Sequence, residues 1–203
     1  MLEKEIKLPK SLEQGFKFSC KFCGECCRGF DEGNVYLYLD DIKRLADHLE
    51  LSPSEFAKRY LKITKDRFYW KEPGEARGKN YSILLLGFKF TGDDEHCEFL
   101  GADNKCTVYK FAPFQCLAYP WWRIHLEKPR KLKEYAKKCP ALQDSFNDKG
   151  KYISPENILE WAKKEYEIEL NYFLKLKEND FDILKVYPFL PKEMVQESKK
   201  ENK

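Results

Sequence analysis

The chain has 203 residues, of which 42% are hydrophobic and 35% are charged, and its formal net charge is +3. This length is enough for one domain with a helical appendage, so no covalent staples are needed to hold a core. The small net charge gives no reason to expect nucleic acid as a partner. Eight cysteines are present, and they require an explanation.

The cellular compartment determines whether clustered cysteines stay reduced or form disulfides. The amino-terminal segment 1–7 alternates charged residues with Leu2 and Ile6 and has no apolar core, so we do not expect it to be a secretory signal. The longest apolar run, residues 83–88, is far shorter than the roughly 20 residues that span a bilayer. We therefore expect a cytoplasmic protein without a membrane partner. Thiols stay reduced in the cytoplasm, which favours metal ligands or redox centres over disulfides.

The first predicted elements follow the earliest cysteines. Residues 35–39, with the sequence VYLYL, predict a strand, and Asp40 is placed to cap a helix directly after it. The next helix has a complete start signal: Ser52 is the predicted N-cap, Pro53 occupies the first helical position, and Glu55 completes a capping box.

The middle of the chain alternates strand and turn patterns. Two strands are predicted at 67–70 and 81–90, joined by the turn-prone stretch 71–78. Residues 121–126 and 131–136 resemble a second hairpin that leads to the cysteine at position 139.

The last third predicts a long helix that starts at Ser154-Pro155-Glu156, and Pro188 ends the helical potential. The predicted fold class is α+β, with a small antiparallel sheet, helices at both ends, metal-binding cysteine loops and a long C-terminal helix. The predicted domains are a cysteine-cluster metal-binding domain at 1–140, a helical C-terminal extension packed on it at 141–196, and a disordered tail at 197–203.

The most informative pattern for the kind of metal site is the cysteine spacing Cys20-x-x-Cys23-x-x-Cys26. Ferredoxin-type 4Fe–4S sites use this triple run together with a remote cysteine that is followed by proline, and Cys139-Pro140 has that form. Structural zinc sites more often combine two C-x2-4-C segments, each of which supplies two closely spaced ligands. The later cysteines are isolated in the sequence, so the spacing favours an iron–sulfur cluster over zinc.

Cys26 and Cys27 are adjacent, and adjacent side chains rarely reach one tetrahedral metal. Three interpretations stay open: two separate sites, a polynuclear cluster with a bridging thiolate, or one ligand beside a packing or redox-active cysteine. A buried, purely hydrophobic role is the competing explanation for any single cysteine. The candidate metal ligands are Cys20, Cys23, Cys26, Cys27, Cys97, Cys106, Cys116 and Cys139.

The whole pattern resembles a known family. The initial run is followed by Cys97-Glu98-Phe99-Leu100, Cys106-Thr107-Val108-Tyr109, Pro113-x-x-Cys116 and Tyr119-Pro120. Across residues 18–140 this looks like the CxxCxxCC cysteine-cluster family, also called YkgJ-like. The resemblance implies a zinc- or iron-chelating domain. A related cysteine domain in the flagellin lysine N-methylases implies kinship with S-adenosylmethionine-linked chemistry.

One segment departs from the family pattern. The family usually reads Arg-Pro-x-x-Cys-Arg around the cysteine that corresponds to Cys116, whereas this chain has Ala112 and Leu117 in place of the two arginines. Those arginines would donate hydrogen bonds to cluster sulfurs or to an anionic substrate. Arg28 and Arg123 are the candidates to replace them.

The histidines add little to the predicted site. His48 is expected on a helix surface, and His96 and His125 are either ligands or ordinary structural residues. The sequence contains no G-x-G-x-x-G, no P-loop and no C-x3-C-x2-C.

Three functional hypotheses follow, and the residues leave open whether the protein is an enzyme. The first is a metal-binding protein with a 4Fe–4S cluster that serves redox or cluster-assisted modification chemistry. The second is a non-enzymatic protein with structural Zn²⁺. The third is an enzyme of protein methylation that uses S-adenosylmethionine. A protein partner or substrate is compatible with each hypothesis, and the sequence identifies none.

Overall fold

The structure is a computed structural model that describes residues 6–28, 34–92 and 95–201, with side chains described as far as Ser198. It combines helices with small antiparallel sheets and has a long helix in its last third, so the predicted α+β class is confirmed.

The strands are short except for one pair. Over the described residues they are β1 (Phe16–Phe18), β2 (Tyr36–Leu37), β3 (Leu61–Trp70), β4 (Lys79–Phe88), β5 (Phe90–Thr91), β6 (His96–Cys97) and β7 (Lys151–Ile153).

The helices range from one turn to more than six turns in length. They are α1 (Leu39–His48), α2 (Pro53–Tyr60), α3 (Phe114–Leu117), α4 (Arg123–Glu127), α5 (Pro129–Ala136), α6 (Pro140–Phe146), α7 (Pro155–Glu178), α8 (Ile183–Val186) and α9 (Lys192–Glu201). Three 3-10 turns occur at Lys10–Leu12, Glu25–Arg28 and Tyr109–Phe111. Among the described residues, no helix is both long enough and apolar enough to cross a bilayer.

The chain forms two compact units. The sheet unit includes Tyr36–Lys89 and Ile168–Lys203, and the cysteine unit includes Glu5–Val35 and Phe90–Glu167. The domain boundaries predicted from the sequence stay a prediction. Helix α9 extends over residues 197–201, within the segment that the sequence predicted to be disordered.

The sheet unit is built on one long hairpin. Strands β3 and β4 pair antiparallel from Leu61 opposite Phe88 to Trp70 opposite Lys79, and β2 adds to the other edge of β4. This confirms the predicted hairpin, although β3 starts at Leu61 rather than at Arg67. The fully buried side chains of this unit include Leu37, Ile42, Leu45, Phe56, Leu61, Leu86, Phe173, Leu176 and Ile183.

The helix starts in the sheet unit follow local hydrogen bonding. The Ser52 hydroxyl accepts the Glu55 amide at 3.2 Å, and the Glu55 carboxylate accepts the Ser52 amide at 2.9 Å, so the predicted capping box is confirmed. The prediction that Asp40 caps α1 is wrong. The helix already begins at Leu39, because the buried Asp41 carboxylate accepts the Tyr38 amide at 3.2 Å.

The cysteine unit has short strands and two small cores. Strand β1 pairs with β7, and β5 pairs with β6, both antiparallel. One core contains Leu12, Trp121, Leu126, Ile158 and Ala162. The other contains Leu132, Ala136, Cys139, Ala141 and Leu142.

Two sequence predictions in the second half of the chain are wrong. Residues 121–136 form helices α4 and α5 instead of a hairpin, because Pro129 is suited to the first turn of a helix and Leu132 and Ala136 then face the core together. Pro188 does end α8, but it does not end the helical potential, since α9 begins at Lys192.

Candidate metal centre

Cys20 and Cys23 lie in a tight loop after β1, and Cys26 and Cys27 lie within the following 3-10 turn Glu25–Arg28. Phe22 and Gly24, on either side of Cys23, both have positive φ, at 52° and 79°. A β-carbon on Gly24 would lie 2.8 Å from the Arg28 guanidinium and 3.1 Å from the Leu100 side chain, so glycine is required there. The Cys27 amide donates to the Gly24 carbonyl at 2.9 Å and closes the turn.

Four cysteine sulfurs accept a hydrogen bond from the amide two residues further along the chain. Burial raises the pKa of each of these thiols, and the amide opposes that increase because it stabilises the thiolate. For Cys97 the pKa rises to about 12. Amide–sulfur hydrogen bonds of this kind also orient thiolate ligands around a metal. The pairs are Cys20 with Phe22 (3.4 Å), Cys23 with Glu25, Cys97 with Phe99, and Cys106 with Val108.

Cys97 and Cys106 are far apart by spacing but are joined by backbone pairing. Leu100 and Cys106 form an antiparallel bridge, and the Thr107 amide donates to the Phe99 carbonyl at 2.9 Å. The turn between them is closed by Gly101, whose amide donates to the Lys105 carbonyl at 2.8 Å. The cysteine spacing predicted no second pair of ligands here, and the hairpin connects the two segments through backbone pairing.

Cys139 lies at the start of α6, which contacts the loop of the first cysteines. It is 4% exposed and is the N-cap residue of α6. Lys21, in the cysteine loop, pairs with Asp144 of the same helix at 2.5 Å. Thiolate charge at Cys139 contributes to the raised pKa values of both Cys20 and Cys23, after the larger effect of burial. The loop is therefore joined to α6 by a salt bridge, and charge at Cys139 acts on the sulfurs of Cys20 and Cys23.

Tyr119 connects this group to the aromatic core. Burial raises its pKa, and an interaction between its hydroxyl and the Cys139 sulfur adds to the increase. Its ring packs edge-on against Phe18 at 6.0 Å and Trp122 at 5.2 Å. A ring in this position covers one side of the Cys139 sulfur.

Cys26 and Cys27 have different neighbours although they are adjacent. They share a hydrogen bond that raises the pKa of Cys26 and lowers that of Cys27, so Cys26 is the donor. Charge at Cys116 and Cys20 acts on Cys26. Charge at Cys27 acts on the buried Cys97 and on Cys106, and it also acts on Cys20.

Cys116 is exposed on the one-turn helix α3. The two flanking positions that depart from the family pattern differ in burial. Ala112 is only 2% exposed, so an arginine side chain would have to be accommodated in the core, while Leu117 is 38% exposed. Trp122 donates to the Gln115 carbonyl at 2.7 Å and holds this segment in place.

The two arginines proposed as replacements have different surroundings. Arg28 donates to the Asn104 side chain at 2.9 Å and helps to lower the pKa of Cys27, after the larger effect of the Cys26 hydrogen bond. Arg123 pairs with Glu127 at 3.7 Å and lies over the Tyr166 ring. Arg28 is therefore the arginine that acts on a cysteine.

The histidines fall into three environments. His48 is exposed, as predicted. His96 precedes Cys97 in β6, and successive residues of a strand face opposite sides, which directs it away from that sulfur. His125 is buried, and its Nδ1–H donates to the Pro120 carbonyl at 2.6 Å. Burial lowers its pKa to about 4. Its Nε2 contacts no hydrogen-bond partner among the described residues.

The cysteine unit also contains an open groove that sequence reasoning missed. Its volume is about 760 Å³, and Phe114 and Trp161 form its aromatic part, with ring centroids 5.5 Å apart. Charged residues of α7, including Glu160 and Lys164, line the remainder. The only signal in the sequence was the aromatic residue within the apolar stripe of α7.

Within the described part of the chain, no group of three or more His, Cys, Asp or Glu side chains is placed so that it could hold a metal ion. The assignment of the eight cysteines as ligands therefore stays a prediction. The donor chemistry nevertheless fits a thiophilic metal, because thiolates are the preferred ligands of such metals and several of these sulfurs accept amide hydrogen bonds.

Comparison with known proteins gives one positive result. No solved structure matches the chain. The model of one family matches residues 19–145, a segment that includes all eight cysteines and more than half of the chain. The relation to the flagellin lysine N-methylases stays a prediction. The match agrees with the resemblance in the cysteine spacing, and the chain belongs to the CxxCxxCC family, described as "Putative zinc- or iron-chelating domain".

Proposed function

We propose that the protein binds an iron–sulfur cluster of the 4Fe–4S type through Cys20, Cys23, Cys26 and Cys139. The observation that supports this proposal is the position of Cys139, which precedes Pro140 at the start of α6, the helix that Lys21 of the cysteine loop binds through Asp144. A C-x2-C-x2-C run completed by a remote Cys-Pro is the ligand pattern of ferredoxin-type clusters. Such a cluster would supply one-electron redox chemistry or an iron site for modification chemistry.

The surroundings of these sulfurs support the proposal. Amides of Phe22 and Glu25 donate to Cys20 and Cys23, and hydrogen bonds to cluster sulfurs are one of the factors that set a reduction potential. Cys139 lies in a core that also contains Leu142, and Tyr119 and Phe18 pack against it. This environment limits access of water from that direction. The proposal also requires a reducing compartment, as in the cytoplasm.

Metal and sulfide analysis of anaerobically purified protein tests the proposal. We expect brown protein with about four iron and four sulfide per chain. Cys139→Ser should lose most of both. Ser145→Ala, a change of a buried residue in the same helix, should retain both and thus controls for damage to α6. Colourless protein with stoichiometric zinc would contradict the proposal.

A structural zinc site is the second candidate. The amide–sulfur hydrogen bonds at Cys20, Cys23, Cys97 and Cys106 favour it, because they form two pairs of the kind that hold zinc in loop-rich domains. Under this function the protein contains zinc without sulfide and shows no redox signal, and chelation unfolds the cysteine loops.

A further inference from the structure

One face of the β3–β4 hairpin is exposed over the half that lies next to the turn. Side chains of a strand alternate between the two faces of a sheet, so the residues of one face occupy every second position. Near the start of β3 this face is buried, at Leu61 and Ile63. Toward the turn its side chains are exposed, and these five residues are called the open face: Lys65, Arg67, Tyr69, Asn80 and Ser82.

The opposite face of the same half of the hairpin is covered by α7. Phe68 is buried and stacks on Phe173 of that helix with ring centroids 4.6 Å apart. Tyr81, which pairs with Phe68 in the ladder, packs edge-on against Phe173 at 5.2 Å. The hairpin is therefore held from one side only, while the open face is left for a partner.

The positive charge of the chain is concentrated in this hairpin. Residues 62–82 contain six basic and three acidic side chains, an excess equal to the formal net charge of +3 for the whole chain. Lys65 and Arg67 are exposed, and neither forms a salt bridge with another residue that the structure describes. The net charge of the whole chain gave no reason to expect nucleic acid, but its distribution provides a local binding surface for an anion.

The acidic side chains of the hairpin are engaged away from the open face. Asp66 occupies an alternate position in β3, and its carboxylate accepts a hydrogen bond from the Tyr36 hydroxyl at 3.0 Å. The Glu72 carboxylate accepts the hydroxyl of Tyr81, on the covered face, at 3.1 Å and also pairs with Lys177. An anion on the open face therefore meets two cations and no carboxylate of that face.

Tyr69 places an aromatic ring beside these cations. The side chain is 57% exposed, yet its position is defined by a close contact with glycine. A β-carbon on Gly78 would lie 2.6 Å from Tyr69 Cζ and 2.7 Å from its hydroxyl oxygen, so the end of the ring lies directly against the Gly78 backbone. Exposed aromatic rings next to basic side chains are the surfaces on which unpaired bases stack.

We propose that the open face binds single-stranded nucleic acid, with a base stacked on Tyr69 and phosphates at Lys65 and Arg67. Successive positions on one face of a strand are about 6.7 Å apart, a spacing comparable with that of adjacent phosphates in an extended single strand. Asn80, opposite Tyr69 in the ladder, supplies hydrogen-bonding groups beside the ring. This function goes beyond metal binding and does not depend on it.

The ring and the cations together favour this ligand over other polyanions. An acidic peptide would use Lys65 and Arg67 but would have no base to stack on Tyr69. A duplex keeps the faces of its bases inside the helical stack, so its ring contacts would be lost as well. Stacking on an aromatic side chain tolerates any base, and we therefore expect little sequence preference.

Fluorescence anisotropy of the full chain with fluorescein-labelled 12-nucleotide oligouridylate and oligothymidylate tests the proposal. Tyr69→Ala should weaken binding roughly 5-fold to 150-fold, because the stacked base loses its partner. Tyr69→Phe keeps the ring and should bind nearly as well as the wild type. Binding of either oligonucleotide with this pattern supports the proposal, and the better ligand of the two identifies RNA or DNA as the target.

Salt dependence tests the two cations. Each phosphate contact to a single strand contributes about 0.7 to the slope of log K against log salt concentration, so Arg67→Gln should reduce that slope by about 0.7 and K65Q/R67Q by about 1.4. Lys62→Gln is the matched control. It removes the same charge from an exposed position of β3 on the other face, and it should leave the slope nearly unchanged.

Several results would overturn the proposal. They are no binding of either oligonucleotide at low salt, binding that Tyr69→Ala leaves unchanged, or equal changes of the salt slope in Arg67→Gln and Lys62→Gln. Equally tight binding of a 12-residue oligoglutamate, or of a duplex of the same length, would also overturn it. Metal per chain should equal the wild-type value in every variant, so the outcome is independent of whether the protein holds iron, zinc or neither.

Discussion

The sheet unit and the cysteine unit differ in what stabilises them. In the sheet unit, β3 and β4 pair along their whole length, and the adjacent core contains fully buried residues such as Phe56, Leu86 and Phe173. In the cysteine unit, the strands are two or three residues long, and the cysteine loop depends on a few hydrogen bonds and a glycine. A region with so little regular pairing gains most from bound metal, because metal binding contributes directly to its folding free energy.

Metal removal is expected to have the largest effect and to separate the units. Structural metal sites contribute of the order of 10 kcal/mol, which is comparable with the total stability of a domain. After chelation under reducing, anaerobic conditions, the amides of Cys27, Gly101 and Thr107 should lose their protection from hydrogen exchange. Amides of the β3–β4 ladder should keep theirs. Equal loss of hydrogen-exchange protection in both units would show that metal does not stabilise the cysteine unit more than the sheet unit.

A core truncation tests the sheet unit. Phe173 is fully buried and stacks on Phe68 with ring centroids 4.6 Å apart, so Phe173→Ala should cost about 3–5 kcal/mol in the free energy of unfolding. Urea titration measures the change. Metal per folded chain should stay at the wild-type value. Tyr69→Ala, at a position 57% exposed in the same hairpin, is the control and should cost less than about 1 kcal/mol.

Acid should destabilise the cysteine unit through His125. Its pKa is lowered by burial to about 4 in the folded protein, below the value of about 6.5 for an exposed histidine. Between these values the unfolded state binds a proton that the native state does not, so stability falls as the pH decreases. From roughly pH 7 to pH 5 this group should remove about 2 kcal/mol.

The comparison with His125→Phe isolates that contribution. The variant cannot take up the proton, so its loss of stability over the same pH range should be smaller by that amount. Thiolate protonation affects both proteins and cancels in the difference. Equal losses in the two proteins would mean that His125 is protonated without cost in the native state.

The smallest effect is expected at a helix cap. Ser52→Ala removes the hydroxyl that accepts the Glu55 amide, which should cost about 1 kcal/mol in the sheet unit. Thermal unfolding measures it, and metal content should not change. Ser54→Ala, two residues along the same helix, lacks a capping role and should be nearly neutral. A change in metal content with Ser52→Ala would show that the units are energetically coupled.

Some features of the fold could be predicted from residues that lie close together in the sequence. Ser52, Pro53 and Glu55 predicted the start of α2, because all partners of a capping box lie within one turn. The β3–β4 hairpin was predicted since its strands are adjacent in the chain. The run from Cys20 to Cys27 predicted a tight loop, and the required glycine lies within it.

Other features could not be predicted in this way. Trp121 and Trp122 favour strands in isolation, but they precede two helices, Arg123–Glu127 and Pro129–Ala136, because burial of Leu132 and Ala136 outweighs intrinsic propensity. His125 has an ordinary sequence context, and only its burial lowers its pKa.

The sequence by itself determined the α+β class, the family and the set of eight cysteines, since composition and spacing depend only on order along the chain. The tertiary structure decided which cysteines act on one another: Cys139 on Cys20 and Cys23, and Cys27 on Cys20, Cys97 and Cys106. The physical reason is that the segments that carry these cysteines are connected through a salt bridge to α6 and through a hairpin bridge, contacts between residues distant in the sequence. Such contacts depend on how the loops pack, and spacing carries no information about that packing.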